Sequence, residues 1–154
     1  MKFAFHLFAT DAVKKLDPSW KKLEPLLKFA AERVLLEELD QVKKFTLNVI
    51  LQSDEELREL NIKALNHDYY TDILTFEIEQ SAHMLSAELY ISLERARENA
   101  LGFKVVGRNE LVRLVIHGML HLAGFNDKLA ADKKRMQRRE RYFLAIVTKQ
   151  HLIE

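Results

Sequence analysis

Histidine and aspartate in the run His117-Gly118-Met119-Leu120-His121-Leu122-Ala123-Gly124-Phe125-Asn126-Asp127 have the types and the spacing to hold one cation. Residues four apart on a helix lie one turn apart on the same face, so both imidazoles reach a common point. Gly124 follows His121 by three and suits the positive φ that ends a helix, after which the chain doubles back and returns Asp127 towards the histidines. Two neutral nitrogens and one carboxylate oxygen suit zinc, with a fourth position left open to water. Histidines on an apolar helix also occur as satisfied core residues. The helix-ending glycine and the third donor decide for the metal, and Asn126, being neutral, is the poorer ligand.

The elements that must position this run follow from periodicity. Asn109 reads as a cap, and Leu111, Val112, Leu114, Val115, Ile116, Met119, Leu120 and Leu122 cover nearly every side of the helix that follows. A helix apolar all round is buried, so Arg113, His117 and His121, spaced by four, form a polar ridge that needs partners. Ahead of it, alternation predicts strands over Lys2 to Phe8, Phe45 to Leu51, Asp72 to Glu79 and Ala87 to Ser92, the third of them central and the last two joined as an antiparallel hairpin. Asp17-Pro18 predicts a short turn, with the main helix from about Pro25 to Glu38. Ser53 and Glu56 form a capping box for a helix ending near Asn66, which accounts for the acidic cluster Asp54-Glu55-Glu56 without a metal. Ser92 caps a fourth helix closed by Gly102, and Leu129, Met136, Phe143 and Val147 give a seven-residue stripe on a last helix to about Lys149. The order β-α-β-α-β-β-α-α-α is that of an α+β domain, a small mixed sheet of about four strands packed by about five helices.

A chain of 154 residues, 48% hydrophobic and 31% charged, fits a single domain over 1–154. With no cysteine there is no disulfide, no thiolate ligand and no cysteine nucleophile, so any zinc is held by histidine and carboxylate. The start Met1 to Phe8 is too short and interrupted for a signal peptide, and no run reaches the ~20 apolar residues of a membrane helix, so the expected place is the cytoplasm, with no membrane partner. A net charge of +1 announces no nucleic acid. The basic run Lys128, Lys133, Lys134, Arg135, Arg138, Arg139 and Arg141, diluted by Asp132 and Glu140, reads either as a solvated helix face or as an RNA contact beside the metal run.

The run His117 to Asp127 resembles the signature of the YbeY family, bacterial single-domain metal-dependent endoribonucleases that mature ribosomal RNA, usually H-G-x-L-H-L-x-G-Y-D-H. Thr71-Asp72-Ile73-Leu74-Thr75-Phe76 is similar to the family's T-D-V-L-S-F strand, and Asn61 precedes Thr71 at the family's spacing. The resemblance implies a single-strand-specific endoribonuclease acting in 16S rRNA 3′ end maturation, rRNA processing and ribosome quality control. It further implies one zinc per chain, and RNA, ribosomal RNA or a ribosomal subunit, as partner in place of DNA. Three positions depart from it: Asp127 stands where the family has a third histidine, Leu65 where it has an arginine, and Ala87-Glu88 where it has Gly-Asp.

An open zinc position makes hydrolysis the natural reaction class. A zinc peptidase shares the spacing but needs a glutamate directly after the first histidine, and Gly118 cannot take a proton. A ribosome-assembly binding protein with a structural metal is the other alternative, since His67, His83 and Glu88 have no local placement and any one of them as a fourth ligand would close the coordination sphere. No general base stands out. Lys63 or Arg113 could supply positive charge to a phosphate in place of the arginine missing at Leu65.

Overall fold

The computed structural model describes residues 1–151. Strand β1 (Lys2–Ala9) leads through α1 (Asp11–Leu16), a 3₁₀ turn (Trp20–Leu23) and α2 (Glu24–Glu38) to β2 (Lys44–Gln52). Then follow α3 (Asp54–Leu65), β3 (Ile73–Gln80), β4 (Met84–Ser92), α4 (Leu93–Phe103), α5 (Gly107–Leu122) and α6 (Ala130–His151). The sheet order is β1-β2-β4-β3, with β1, β2 and β4 parallel and β3 antiparallel to β4. The α+β architecture, mixed sheet and β3–β4 hairpin are as expected, with six helices among the described residues instead of about five.

Alternation in the sequence decides which face of the sheet is buried. Phe45, Leu47, Val49 and Leu51 of β2, with Leu85, Ala87, Leu89 and Ile91 of β4, point to one side and are almost wholly enclosed. Each such large apolar side chain contributes about 1.5–3 kcal/mol when removed from water. Helix α5 lies over that face, flanked by α2, α4 and α6, and ten of its residues from Asn109 to Leu120 are buried. Gly118 makes the close approach achievable, because a Cβ there would stand 2.7 Å from Leu89 Cδ2 and 3.2 Å from Ile73 Cδ1.

Several boundaries differ from the sequence reading. β3 is an edge strand, not a central one, and its second half is exposed beyond a register shift between Glu77 and Glu79. Of its alternating apolar residues only Leu74 is buried and Ile78 is 58% exposed, and alternation says nothing of neighbours in the sheet. β4 starts at Met84 because the hairpin continues the ladder past Ala87. α4 runs through Gly102 to Phe103 and is closed by Lys104 in the left-handed region, φ 55°. α5 begins at Gly107, so Asn109 is a buried residue of its first turn and not its cap. The short α1, which buries only Val13, is too brief to show a period. The capping box forms as read: Glu56 N donates to Ser53 Oγ at 3.1 Å and Ser53 N to Glu56 Oε1 at 2.8 Å. Burial alone would push the Glu56 carboxyl up, but bonds from Ser53 and Thr10 hold it below its ordinary value.

Candidate metal centre

The C-terminal turns of α5 carry His117 and His121, and the loop to α6 carries Asp127. Gly124 has φ 98°, and with Gly124 N donating to the His121 carbonyl and Phe125 N to that of Leu120, the chain reverses tightly. The reversal does what the sequence requires of it. His117 Nε2 and His121 Nε2 come within 3.0 Å, and Asp127 Oδ2 lies 3.6 and 3.8 Å from them. One donor atom from each residue falls within 4.8 Å of the others, and among the described residues these three form the single such histidine and carboxylate cluster.

The far side of each imidazole decides which nitrogen faces the cluster. His121 Nδ1 lies 3.0 Å from the Phe125 carbonyl, which only accepts, so Nδ1 carries the proton and Nε2 presents a lone pair. His117 Nδ1 lies 2.6 Å from Glu140 Oε2. Burial would raise the Glu140 carboxyl, but the bond to His117 and the Arg113 charge hold it below its ordinary value, so it too accepts. Burial lowers the His121 pKa, and His117 adds to this against the pull of Asp127. Two lone pairs at 3.0 Å beside a carboxylate repel one another unless a cation or proton lies between them, and a metal ion would satisfy all three donors.

Glu140 is the residue that sequence reasoning missed. It reads as a charge diluting a basic run, yet it is 6% exposed on the stripe Met136, Glu140, Phe143, Val147. A carboxylate at an otherwise apolar stripe position was the available signal. From it a chain of bonds runs inwards: Arg113 Nη1 donates to Glu140 Oε1 at 3.1 Å, and Arg113 Nε and Nη2 donate to Glu110 at 2.7 and 2.9 Å. Asn99 then bridges Glu110 and Asp72 at 3.1 and 3.2 Å. Burial works against the Arg113 charge, but its bonds to Glu110 and the Glu140 carboxylate keep its pKa raised.

The histidine pair faces a groove of about 700 Å³ lined by His117, His121, Leu122, Lys128, Ile73, Thr75 and Glu77 on one part and by Asn61, Leu65, His67 and Tyr69 on another. Arg113, expected as a phosphate contact, is turned into the carboxylate network, and Lys63 is exposed outside the groove lining. Lys128 is the basic side chain that lines it. Leu65 lines the wall at 44% exposure, so no charge arises there. Glu88 takes the Tyr90 hydroxyl at 2.8 Å on the sheet face opposite Leu89, away from the metal centre, and His83 lies beside the Gln41 carbonyl. Neither closes the coordination sphere.

Fold and site together define a small α+β domain in which two histidines and one carboxylate could hold a cation at the side of a groove. The family described as Endoribonuclease YbeY matches residues 10–148, and the chain belongs to that family. It is similar to the protein named Endoribonuclease YbeY of Parabacteroides distasonis, 43% identical over 101 residues that span 66% of this chain and 70% of the other. The protein of the same name from Bacteroides thetaiotaomicron is 45% identical over 97 residues, 63% of this chain and 70% of its own. A solution structure of TM1509 from Thermotoga maritima superposes with TM-score 0.64 at 28% identity, covering 95% of this chain and 90% of that one. No helix among the described residues is long and apolar enough to cross a membrane.

Proposed function

We propose that the protein is a zinc-dependent endoribonuclease that cuts single-stranded ribosomal RNA, acting in 16S rRNA 3′ end maturation, rRNA processing and ribosome quality control in the cytoplasm. The observation that carries the reading is the convergence of His117 Nε2, His121 Nε2 and Asp127 Oδ2 on a groove, in a chain of the YbeY family. His117, His121 and Asp127 would hold the ion. When bound, zinc acidifies a water and stabilises charge on a phosphoryl oxygen. The protein's own part is preorganisation: Glu140 and the Phe125 carbonyl hold both Nδ1 protons, which fixes the tautomers and ring planes of the ligands. Lys128 supplies the positive charge for an RNA phosphate in the groove, a role that Arg113 cannot take while Glu110 and Glu140 engage its donors.

A three-donor site open to a groove favours catalysis over an assembly protein with a structural metal, since structural zinc is closed by four ligands. The peptidase reading loses further ground. Position 118 faces Leu89 and Ile73 in the core, so a glutamate there would be driven into the sheet and away from the groove.

The test is zinc content of the purified protein together with cleavage of single-stranded RNA, with and without chelator, for the parent, His121→Ala and Asp127→Ala. About one zinc per chain and chelator-sensitive cleavage are expected, with both weakened in the two variants. Stoichiometric zinc with no cleavage would favour the assembly role, and cleavage that persists in His121→Ala would place the chemistry elsewhere.

A further inference from the structure

We propose that His67 and Tyr69 form a stacking platform for one unpaired nucleobase next to the phosphodiester that is cut; this rests on the ribonuclease reading. The two rings lie face to face, centroids 5.3 Å apart at 19°, and the Tyr69 hydroxyl is hydrogen-bonded to His67 Nδ1 at 3.0 Å. They line the same groove as His117 and His121. Tyr69 is nevertheless 54% exposed, so a paired aromatic surface is left in water beside the metal centre.

The loop that presents the pair is held from several sides. Asn61, 0% exposed, donates from Nδ2 to the Tyr69 carbonyl at 3.1 Å, and His67 N donates to the Asn61 carbonyl at 3.2 Å. Arg58 pairs with Asp68 at 2.7 Å, and the Tyr70 hydroxyl donates to Glu55. Folding has therefore already met the ordering cost that a mobile aromatic loop would meet on binding. The buried Asn61 thereby fixes the backbone from which the exposed Tyr69 ring projects.

The rest of the groove fits the same ligand. Lys128 provides a cation for the backbone phosphate on a lining that also carries Glu77, and Leu65, Ile73 and Leu122 give an apolar surface for the flat face of a base. Aromatic faces for the bases, with a cation for the backbone, are a means by which single strands are bound without a sequence code. A duplex hides its base faces in the stack, so the platform admits a base only from an unpaired strand.

The experiment pairs the aromatic with the base. Binding of a fluorescein-labelled single-stranded RNA is measured by anisotropy, together with KM and kcat, for the parent, Tyr69→Ala and Tyr69→Phe, with an abasic position moved along the strand. Tyr69→Ala should weaken binding and raise KM about 5- to 100-fold, as for loss of one stacked base. Both variants keep the backbone carbonyl anchor, and Tyr69→Phe, which keeps the ring and gives up only the hydroxyl bond to His67, should bind nearly like the parent. One abasic position should weaken the parent by a similar factor and leave Tyr69→Ala unaffected. Should every abasic position weaken both proteins equally, the platform is overturned while the ribonuclease reading stands. If the parent neither binds nor cuts the strand, the ribonuclease reading fails and the platform falls with it.

Discussion

Glu140 shows what one side chain adds to a ligand set. Its carboxylate holds the His117 proton on Nδ1 and is itself held by Arg113, so the orientation of the proposed ligand depends on a residue outside the donor cluster. Glu140→Gln keeps an oxygen near Nδ1 but removes the charge that makes the imidazole basic, and partners of this kind are worth about 10–100-fold in metal affinity. The expected result is a zinc Kd raised by that factor in competition with a chromophoric chelator, with cooperative unfolding retained because Glu110 still engages Arg113. An unchanged Kd would mean that α5 alone sets the ring. At this scale the sequence was legible wherever the partners were near in the chain. His117, His121 and Asp127 are tied by helix spacing and a turn, and the structure brings them together. Glu140 and the Asn61 anchor are contacts across tertiary structure, and no local period records them.

Among the elements, α5 is the one whose position determines the site. It carries two of the three donors and lies tight against the sheet because position 118 has no side chain. Gly118→Ala tests which of two effects wins. Alanine favours the helix by up to about 1 kcal/mol, but its methyl would sit 2.7 Å from Leu89 Cδ2 and 3.1 Å from Cδ1, and Leu89 is 0% exposed. Overpacking of this kind costs about 1–3 kcal/mol, so urea unfolding should show a lower midpoint. A raised midpoint would mean that Leu89 repacks at no cost. The interior elements were the legible ones: α2, β2 and α5 have long or two-sided apolar patterns, and their cores lie where the patterns put them. The misreadings lie at ends and edges. Lys104 closes α4 in a left-handed conformation that a lysine does not advertise, and the edge place of β3 depends on strands far away in sequence.

For the molecule as a whole, a net charge of +1 means that an RNA strand is drawn by the arrangement of charges and not by their sum. The arrangement is uneven. Arg113 and Arg139 are neutralised within the fold by Glu110, Glu140 and Glu38, whereas Lys133, Lys134, Arg138 and Arg141 stand exposed along α6, the helix whose buried side supplies Glu140 to the metal centre. Lys128 lies at the join between that helix and the groove. Two ways for RNA to lie follow: in the groove alone, or continuing along α6. Salt dependence separates them, because each phosphate contact to a single strand contributes about 0.7 to the slope of log K against log salt. If the strand continues along α6, replacing Lys134, Arg138 and Arg141 with glutamine should lower the slope by about 2, whereas Lys128→Gln alone should lower it by about 0.7. A strand confined to the groove would leave the triple variant with the parent's slope. The α6 run would then be a solvated face, and recognition would rest on Lys128 and the residues around the metal centre.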